Sequence, residues 1–513
     1  MLAFFVSTAG HFPIVRRPNP VFGRFSHKAV RTAKYIRARK TKKGTNMKRC
    51  VINSFISALA CLASFACPTA SAQFVRSATG ATQVADADSV WTLDECINYA
   101  LKNNITLKQN VNNYLSGLED TQQAKAALFP TLSFSTTQGV TNRPFTENQN
   151  TVVGSQVYST SKNSYTGNYN LGANVTLFSG SSLRTAIKQS KLQNSIDSLS
   201  IETSKKDLVI SIIQAYMQCL YAKEAISVAQ SAAESAKASL DRAKELKDAG
   251  ELSKVDVAQL ESQYASDSYQ VVTAKTSLDN YKLQLKQLLE LGINDEIDVS
   301  EPGTEESDVL ALLPAKQEVF SNAMEAMPEV KQAMLNVDAA NLSIKQAKSG
   351  YSPTLSANAA VGSTNVSGAG TSMAEQIKNN MNESLGLTLS IPIFQGRKTK
   401  TAVNKAKIAA DNAVLSQQST EKALLKEIED TYLNAVSYQA QYLSAKEQAS
   451  YAQQSYELTS ESFQVGKKNT VELITAENSM TSAKQQVLQS KYMALMNLSL
   501  LDIYQGKYDI ENK

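Results

Sequence analysis

Residues 169–180 read YNLGANVTLFSG and run straight into a stretch, 181–249, that contains neither Pro nor Gly. In the first part Tyr169, Leu171, Ala173, Val175 and Leu177 alternate with Asn170, Gly172, Asn174 and Thr176, a period of two that predicts a strand with one apolar and one polar face. In the second part small and apolar residues recur at steps of four and three: Leu208, Ile212, Ala215, Cys219, Ala222, Ile226, Ala229, Ala233, Ala236, Leu240 and Ala243. That spacing is the heptad seam of a left-handed coiled coil. At 1.5 Å per residue an unbroken helix here is roughly 100 Å long, a strut rather than a piece of a compact domain.

The same text returns 216 residues later. Phe178 becomes Phe394, Ala249-Gly250 becomes Val465-Gly466, and Val255-Asp256-Val257 becomes Val471-Glu472-Leu473. The seam returns as Leu424, Ile428, Thr431, Ala435, Tyr438, Tyr442 and Ala445, more polar but in register. Upstream the offset is 223: residues 323–332 align with 100–109, and Pro353-Thr354-Leu355 with Pro130-Thr131-Leu132. The difference falls in the hairpins, where length changes are tolerated. Each half therefore reads helix, hairpin, long helix, turn, helix, the first over 91–293 and the second over 314–505. An acidic linker, 294–313, separates them, and a short tail, 506–513, follows. The first helix opens at Thr92, with Glu95 at capping-box spacing, and a break is expected near Asn103-Asn104. The other strands are Leu132, Phe134 and Thr136 before a polar loop, 139–165, then Leu355 to Val361, then Leu385 to Ile393. The helices that close the halves are expected over 253–291 and 470–504.

The N-terminus is of a different kind. Residues 1–46 hold 11 Lys or Arg and no acid, after which Met47-Lys48-Arg49, an apolar run and Ala70-Ser71-Ala72 lay out a secretory signal. We therefore expect residues 1–46 to be a gene-model extension, 47–72 a signal peptide and 73–90 a flexible start. The alternative, a basic arm for nucleic acid, has no obvious use ahead of an export signal. Without residues 1–72 the chain keeps 39 basic residues against 47 acids and loses both His11 and His27. Histidine-based acid-base catalysis and His-containing metal sites are thereby excluded from the mature chain. Of the remaining cysteines, Cys96 and Cys219, the second is a seam filler; a disulfide between them is possible but nothing requires it. No phosphate loop, nucleophile-base pair or cofactor motif is present, so the chain reads as no enzyme.

Each strand is about ten residues long, the length of a tilted strand crossing a bilayer. In lipid an open sheet edge leaves backbone groups unpaired, so only closure is allowed, and four strands cannot close around a pore. Two chains would pool eight strands, whose interior side chains fill; three would pool twelve and leave a lumen. The expected fold class is mainly α with a membrane β-barrel: a long α-helical coiled-coil barrel plus four β-strands per chain, pooled in a trimer into a 12-stranded barrel. A periplasmic adaptor would carry one hairpin flanked by Gly-rich β-domains, and a plain structural coiled coil would not need strictly alternating strands.

The duplicated Pro-Thr-Leu at a helix-to-strand change, Leu177-Phe178-Ser179-Gly180, Ile391-Pro392-Ile393-Phe394-Gln395-Gly396 and Phe463-Gln464-Val465-Gly466 together resemble the TolC-like outer-membrane efflux protein family. The resemblance covers the chain from Trp91 to about Tyr504. It implies a homotrimer in outer-membrane lipid with a helical tunnel through the periplasm. That tunnel would take substrate from an inner-membrane pump (RND or ABC type) through a periplasmic adaptor of the membrane fusion class, with no cofactor and no nucleic acid. Drug efflux, metal-ion efflux and type I protein secretion all remain open.

Two sites carry over with the resemblance. Adaptor docking falls on the helical turns at Gly250, Glu251, Leu252 and Ser253 and at Gly466 and Lys467. The tunnel mouth falls on Glu472, which matches an acidic ring position. Thr475 stands where a second acid would be, Asp256 and Lys468 where an acid and a base latch the closed state, and Phe463 where the family has Tyr. Apart from the resemblance, these glycines are simple helix caps and these charges solvated helix ends.

Overall fold

The computed structural model describes residues 90–507 apart from 146–148, 154–155, 161, 302, 304–305 and 368–370. The expectations for 1–46, 47–72 and 73–89 lie outside the described residues, as does most of the tail. The element order is β1 (Val90–Trp91), α1 (Leu93–Asn103), α2 (Ile105–Ala126), β2 (Thr131–Asn142), β3 (Gln149–Val153), β4 (Gln156–Thr160), β5 (Asn163–Phe178), α3 (Ser182–Asp248) and α4 (Lys254–Leu289). It continues with β6 (Asp298–Val299), α5 (Glu306–Val309), α6 (Lys316–Ala326), α7 (Pro328–Lys348), β7 (Thr354–Val366), α8 (Met373–Asn379), β8 (Asn382–Ser390), α9 (Lys398–Gln464) and α10 (Thr470–Tyr504).

The two struts α3 and α9 are each 67 residues long and start 216 residues apart. Along α3 the seam packs inward: Leu208, Ile212, Ala215, Cys219, Ala222, Ala229, Ala236, Leu240 and Ala243 are buried. Both struts are entered in one way. Gly180 and Ser181 (φ 58° and 70°), and Gly396 and Arg397 (φ 53° and 65°), are consecutive left-handed residues that turn a strand into a helix. A left-handed conformation is uncommon for Ser or Arg, so its recurrence at both junctions marks a built corner.

Thr92 caps α1 with the full capping box: its hydroxyl accepts from Glu95 N at 3.3 Å, and the Glu95 carboxylate accepts from Thr92 N at 2.8 Å. The break falls where expected, at Asn104, which caps α2; in the second half it falls at Met327, and Pro328 opens α7 at a position that needs no N–H donor.

The sheet runs β2-β5-β7-β8, antiparallel throughout. Its register stacks Leu132, Ala173, Ala359 and Leu385 in one row and Phe134, Leu171 and Val361 in the next. The intervening rows are Thr131, Asn174, Asn358 and Gly386, then Ser133, Gly172, Ala360 and Ser384, so the other face is small and polar. The apolar side chains have nothing over them: Leu132 is 70% exposed, Leu385 84% and Leu387 71%.

Three expectations are corrected here. The polar segment 139–165 is not a plain loop: β2 runs into its start as far as Asn142 and β5 begins at Asn163, while β3 and β4 pair as a second antiparallel ribbon. Thr, Val and Tyr favour extended backbone, but QNTVV and QVYST do not alternate apolar with polar residues and so give no period-two signal. The strand through Leu385 ends at Ser390, before Ile391 and Ile393, because Pro392 has no N–H for the ladder. The segment 294–313 does more than link: β6 pairs in parallel with β1, Val309 is buried against Tyr442 and Ala494, and Gln439 donates to Val309 O (3.0 Å) and Ala311 O (2.9 Å).

The largest core gathers at the level of β1 and β6, from α1, α3, α4, α6, α9 and α10. Ile97, Ile212, Ile213, Leu285, Leu289 and Ile428 are essentially inaccessible there. Tyr216 donates its hydroxyl to Ser300 O (2.7 Å), tying strut to linker. Cys96 and Cys219 are buried in this core as free thiols, each pushed up to about 12 by burial. Between the halves, the buried Lys206 of α3 reaches Glu329 of α7 at 2.6 Å.

Candidate functional site

The far ends of the struts are two copies of one turn. After α3, Gly250 N donates to Lys247 O (3.0 Å) and Glu251 N to Leu246 O (2.8 Å). After α9, Gly466 N donates to Phe463 O (3.0 Å) and Lys467 N to Ser462 O (2.9 Å). This bond pair is the Schellman cap, with glycine at the left-handed position (φ 85° and 74°). A Cβ added to either glycine would meet nothing within 4 Å, so only the backbone angle demands glycine and both turns are open to a partner. Glu251, Ser253 and Lys467 are exposed, while Leu252 folds back against the cluster below.

Each turn restarts a helix with its own cap. Ser253 accepts from Asp256 N (3.2 Å) and donates to its carboxylate (2.6 Å); that hydroxyl bond holds the Asp256 carboxyl below the usual range. Asn469 and Glu472 form a capping box, and Lys468 lies 2.8 Å from Glu472, whose carboxyl is likewise lowered, chiefly by Lys468. Within this chain Lys468 pairs with its (i,i+4) neighbour Glu472. Thr475 is exposed and donates to Val471 O (2.7 Å), an ordinary helix back-bond.

Phe463 is turned inward at the tip. It is 4% exposed, in an apolar cluster with Leu240, Ala243, Val257, Leu260 and Leu473 that joins all four helices at the tip. Its ring contributes burial where a Tyr hydroxyl would need a partner.

Above that cluster lies a feature that sequence reasoning missed. Glu477 of α10 is 1% exposed, and neither carboxyl oxygen has a hydrogen-bond partner. Asp267 of α4, also buried, faces it and accepts from Gln263 (3.0 Å), which donates also to Asn478 of α10 (3.1 Å). Burial, with Asp267 adding to it, pushes the Glu477 carboxyl up to about 7, and burial raises Asp267 as well. The 216-residue frame puts exposed Glu261 opposite Glu477 and Ala483 opposite Asp267, so no repeat marks the pair. No group of three or more His, Cys, Asp or Glu suited to a metal ion occurs among the described residues.

Fold and tip together define a duplicated helical-strut protein that carries an amphipathic four-stranded sheet at one end and paired glycine turns at the other. The chain belongs to the outer membrane efflux protein family, whose model matches residues 96–290 and 319–503. It is 25% identical over 330 residues to the outer membrane protein TolC of Salmonella enteritidis, a match covering 63% of this chain and 65% of that protein, just under two thirds of the relative's length. It is 22% identical over 412 residues to the alkaline protease secretion protein AprF of Pseudomonas aeruginosa, covering 80% and 83%. The outer membrane protein VceC of Vibrio cholerae superposes with a TM-score of 0.67 at 15% identity over 81% of this chain and 96% of that one. The Campylobacter jejuni CmeC outer membrane channel gives 0.67 at 19% identity, over 81% and 85%. At such identities the likeness is one of fold.

Proposed function

We propose that three copies of this chain form a channel through the outer membrane and periplasm that exports small molecules handed over by an inner-membrane pump and its adaptor. The observation that carries this is the sheet. One face exposes Leu132, Phe134, Leu385, Leu387 and Leu389 at 61% or more, the opposite face is mostly Ser, Thr, Asn and Gly, and among the described residues both outer strands, β2 and β8, lack a partner on one side. Exposed apolar area of that extent needs a cover, and lipid supplies one. Unpaired edges cannot stay in lipid, so β8 of one copy joins β2 of the next, antiparallel like every pair within this sheet. Twelve strands leave a lumen lined by the small polar rows. No helix among the described residues is long and apolar enough to cross a membrane, and none is needed.

The struts then form the periplasmic tube, and their glycine turns meet the adaptor. Glu472, half exposed on the first turn of α10, comes close to its two symmetry mates at a narrow mouth, where three carboxylates favour cations. Deleting the gene should raise susceptibility to toxic small molecules, with full-length complementation restoring resistance; unchanged susceptibility with loss of a secreted protein would move the cargo to polypeptide.

A further inference from the structure

Where the sheet meets the helices, all charge has one sign. From the last turns of α2 and α7 to the first turns of α3 and α9, the residues 121–130, 182–196, 339–352 and 397–410 contain Lys and Arg and not one Asp or Glu. Acids resume only farther down, at Asp120, Asp197, Asp338 and Asp411. Elsewhere on the struts the two signs intermix. Charge segregated within about 20 Å of an apolar band, at 1.5 Å per helical residue, calls for a partner of opposite sign at that depth.

The cations also share a surface. Arg184, Lys188, Lys345 and Lys348 line a groove of about 530 Å³ between α3 and α7, floored at the sheet end by Gly180 and Ser352. It continues into a second groove of about 480 Å³ with Lys191, where Asp338 is the one acid. Among the described residues none of these five cations lies within salt-bridge distance of a carboxylate. The duplication repeats the pattern on α9, where Lys400 and Lys407 stand 216 residues after Arg184 and Lys191.

The side of the wall follows from the neighbours. α3 meets α2 through Ser190 and Asn194, which bond Thr121 at 2.8 and 3.0 Å, and α7 through Ser182 and Gln189, which bond Gln346 and Ser343 at 2.6 and 3.0 Å. Arg184, Lys188, Lys191 and Ser195 form the exposed stripe opposite both contacts. In a closed tube each helix meets its neighbours on the flanks of its inward side, so the wider free arc lies on the convex surface. The cations face outward, just below the membrane band.

We propose that this groove and its repeats bind anionic phospholipid headgroups of the periplasmic leaflet. The proposal rests on the outer-membrane channel reading above. The chemistry is that of a phosphate: two to four ammonium or guanidinium groups converge, Ser352 supplies a hydroxyl, and the acyl chains continue along the apolar face of β5 and β7. Near an anionic surface each Lys or Arg is worth about 1 kcal/mol, about fivefold in affinity, so four neutralised side chains should weaken retention at least tenfold after screening.

The test uses the full-length trimer in detergent, titrated with cardiolipin or with phosphatidylcholine and read by native mass spectrometry, alongside the Arg184→Gln/Lys188→Gln/Lys345→Gln/Lys348→Gln variant. Trimer mass and bilayer conductance serve as controls for folding. Expected is retention of cardiolipin over phosphatidylcholine by wild type, at least tenfold weaker in the variant, with conductance unchanged and with inorganic phosphate a poor competitor. Equal retention of both lipids by a conducting wild-type trimer overturns the lipid site alone. So does a variant whose ion selectivity changes while lipid retention does not, which would put the cations in the lumen, and so does full displacement by millimolar phosphate. A wild-type protein that neither trimerises nor conducts overturns the channel reading and this one with it.

Discussion

Replacing Glu477 with Gln should remove most of the pH dependence of the tip's stability. Glu477 is 1% exposed with both oxygens unpartnered. The groups around it are Asp267 and Gln263 of α4, Asn478 of its own helix and Tyr456 of α9, whose hydroxyl the serines Ser235 and Ser239 of α3 engage. None of these is a cation. Its carboxyl has an ordinary value of 4.5 and sits at about 7 in the folded chain, raised first by burial and then by Asp267. The folded state thus holds the proton more tightly than the unfolded one. The stabilisation is fully present below 4.5 and is lost as the pH rises through 7, at about 1.4 kcal/mol per unit, or on the order of 3 kcal/mol per chain by pH 8. Because Asp267 is buried beside it, the pair titrates as a unit, and that figure belongs to the pair. Gln keeps the shape and stays neutral. Thermal unfolding of the detergent-solubilised protein, followed by circular dichroism between pH 5 and 8, should show wild type losing stability toward pH 8 and Glu477→Gln nearly level. The two should coincide near pH 5. Parallel curves for the two proteins across that range would refute the reasoning.

Three further outcomes are expected. Ile428→Ala, at a fully buried position where the second strut meets the central core, should cost about 2–5 kcal/mol and lower the unfolding midpoint, whereas the exposed Ile408→Ala should change it little. Gly466→Leu places a side chain at φ 74° in open space, so its backbone cost should be about 1–2 kcal/mol and the trimer should persist. Resistance should nonetheless be lost, because the turn can no longer seat an adaptor; unchanged resistance would count against docking there. Glu472→Ala should weaken cation selectivity in single-channel recordings while also removing a capping box and the Lys468 pair, so the isosteric Glu472→Gln separates charge from cap; wild-type selectivity in both variants would sink the acidic ring.

The architecture was legible because it is written in periods. The heptad stripe on α3, the alternation in β5 and β7, and the 216-residue echo each report the geometry of an element directly. The glycine turns were legible for a related reason, since only a residue free to take positive φ closes a Schellman cap, and two copies at equal spacing make a coincidence implausible. Three things were not legible. The β3 and β4 sequences, QNTVV and QVYST, do not alternate apolar with polar residues, so they carried no period-two signal. The β1–β6 pair is two residues a side, too short for any period, and is held by Tyr216 of a distant helix, whose hydroxyl bonds Trp91 O and Ser300 O. Glu477 and Asp267 look like any helix-surface acids in the linear text; what buries them is the packing of four helices near the tip. The same holds for Phe463, whose burial comes from the four helices that meet at the tip. Lys468 shows the reverse: its short-range partner, Glu472, was in plain view four residues on.

The central claim is that a four-stranded sheet is completed only by other copies of itself. The most direct measurement is the mass and conductance of the full-length protein extracted from outer membranes. A stable trimer that conducts ions in a planar bilayer is the result this account predicts; a soluble monomer or dimer without conductance would contradict it, because the exposed apolar rows of β2 and β8 would then face something other than lipid and a shared barrel.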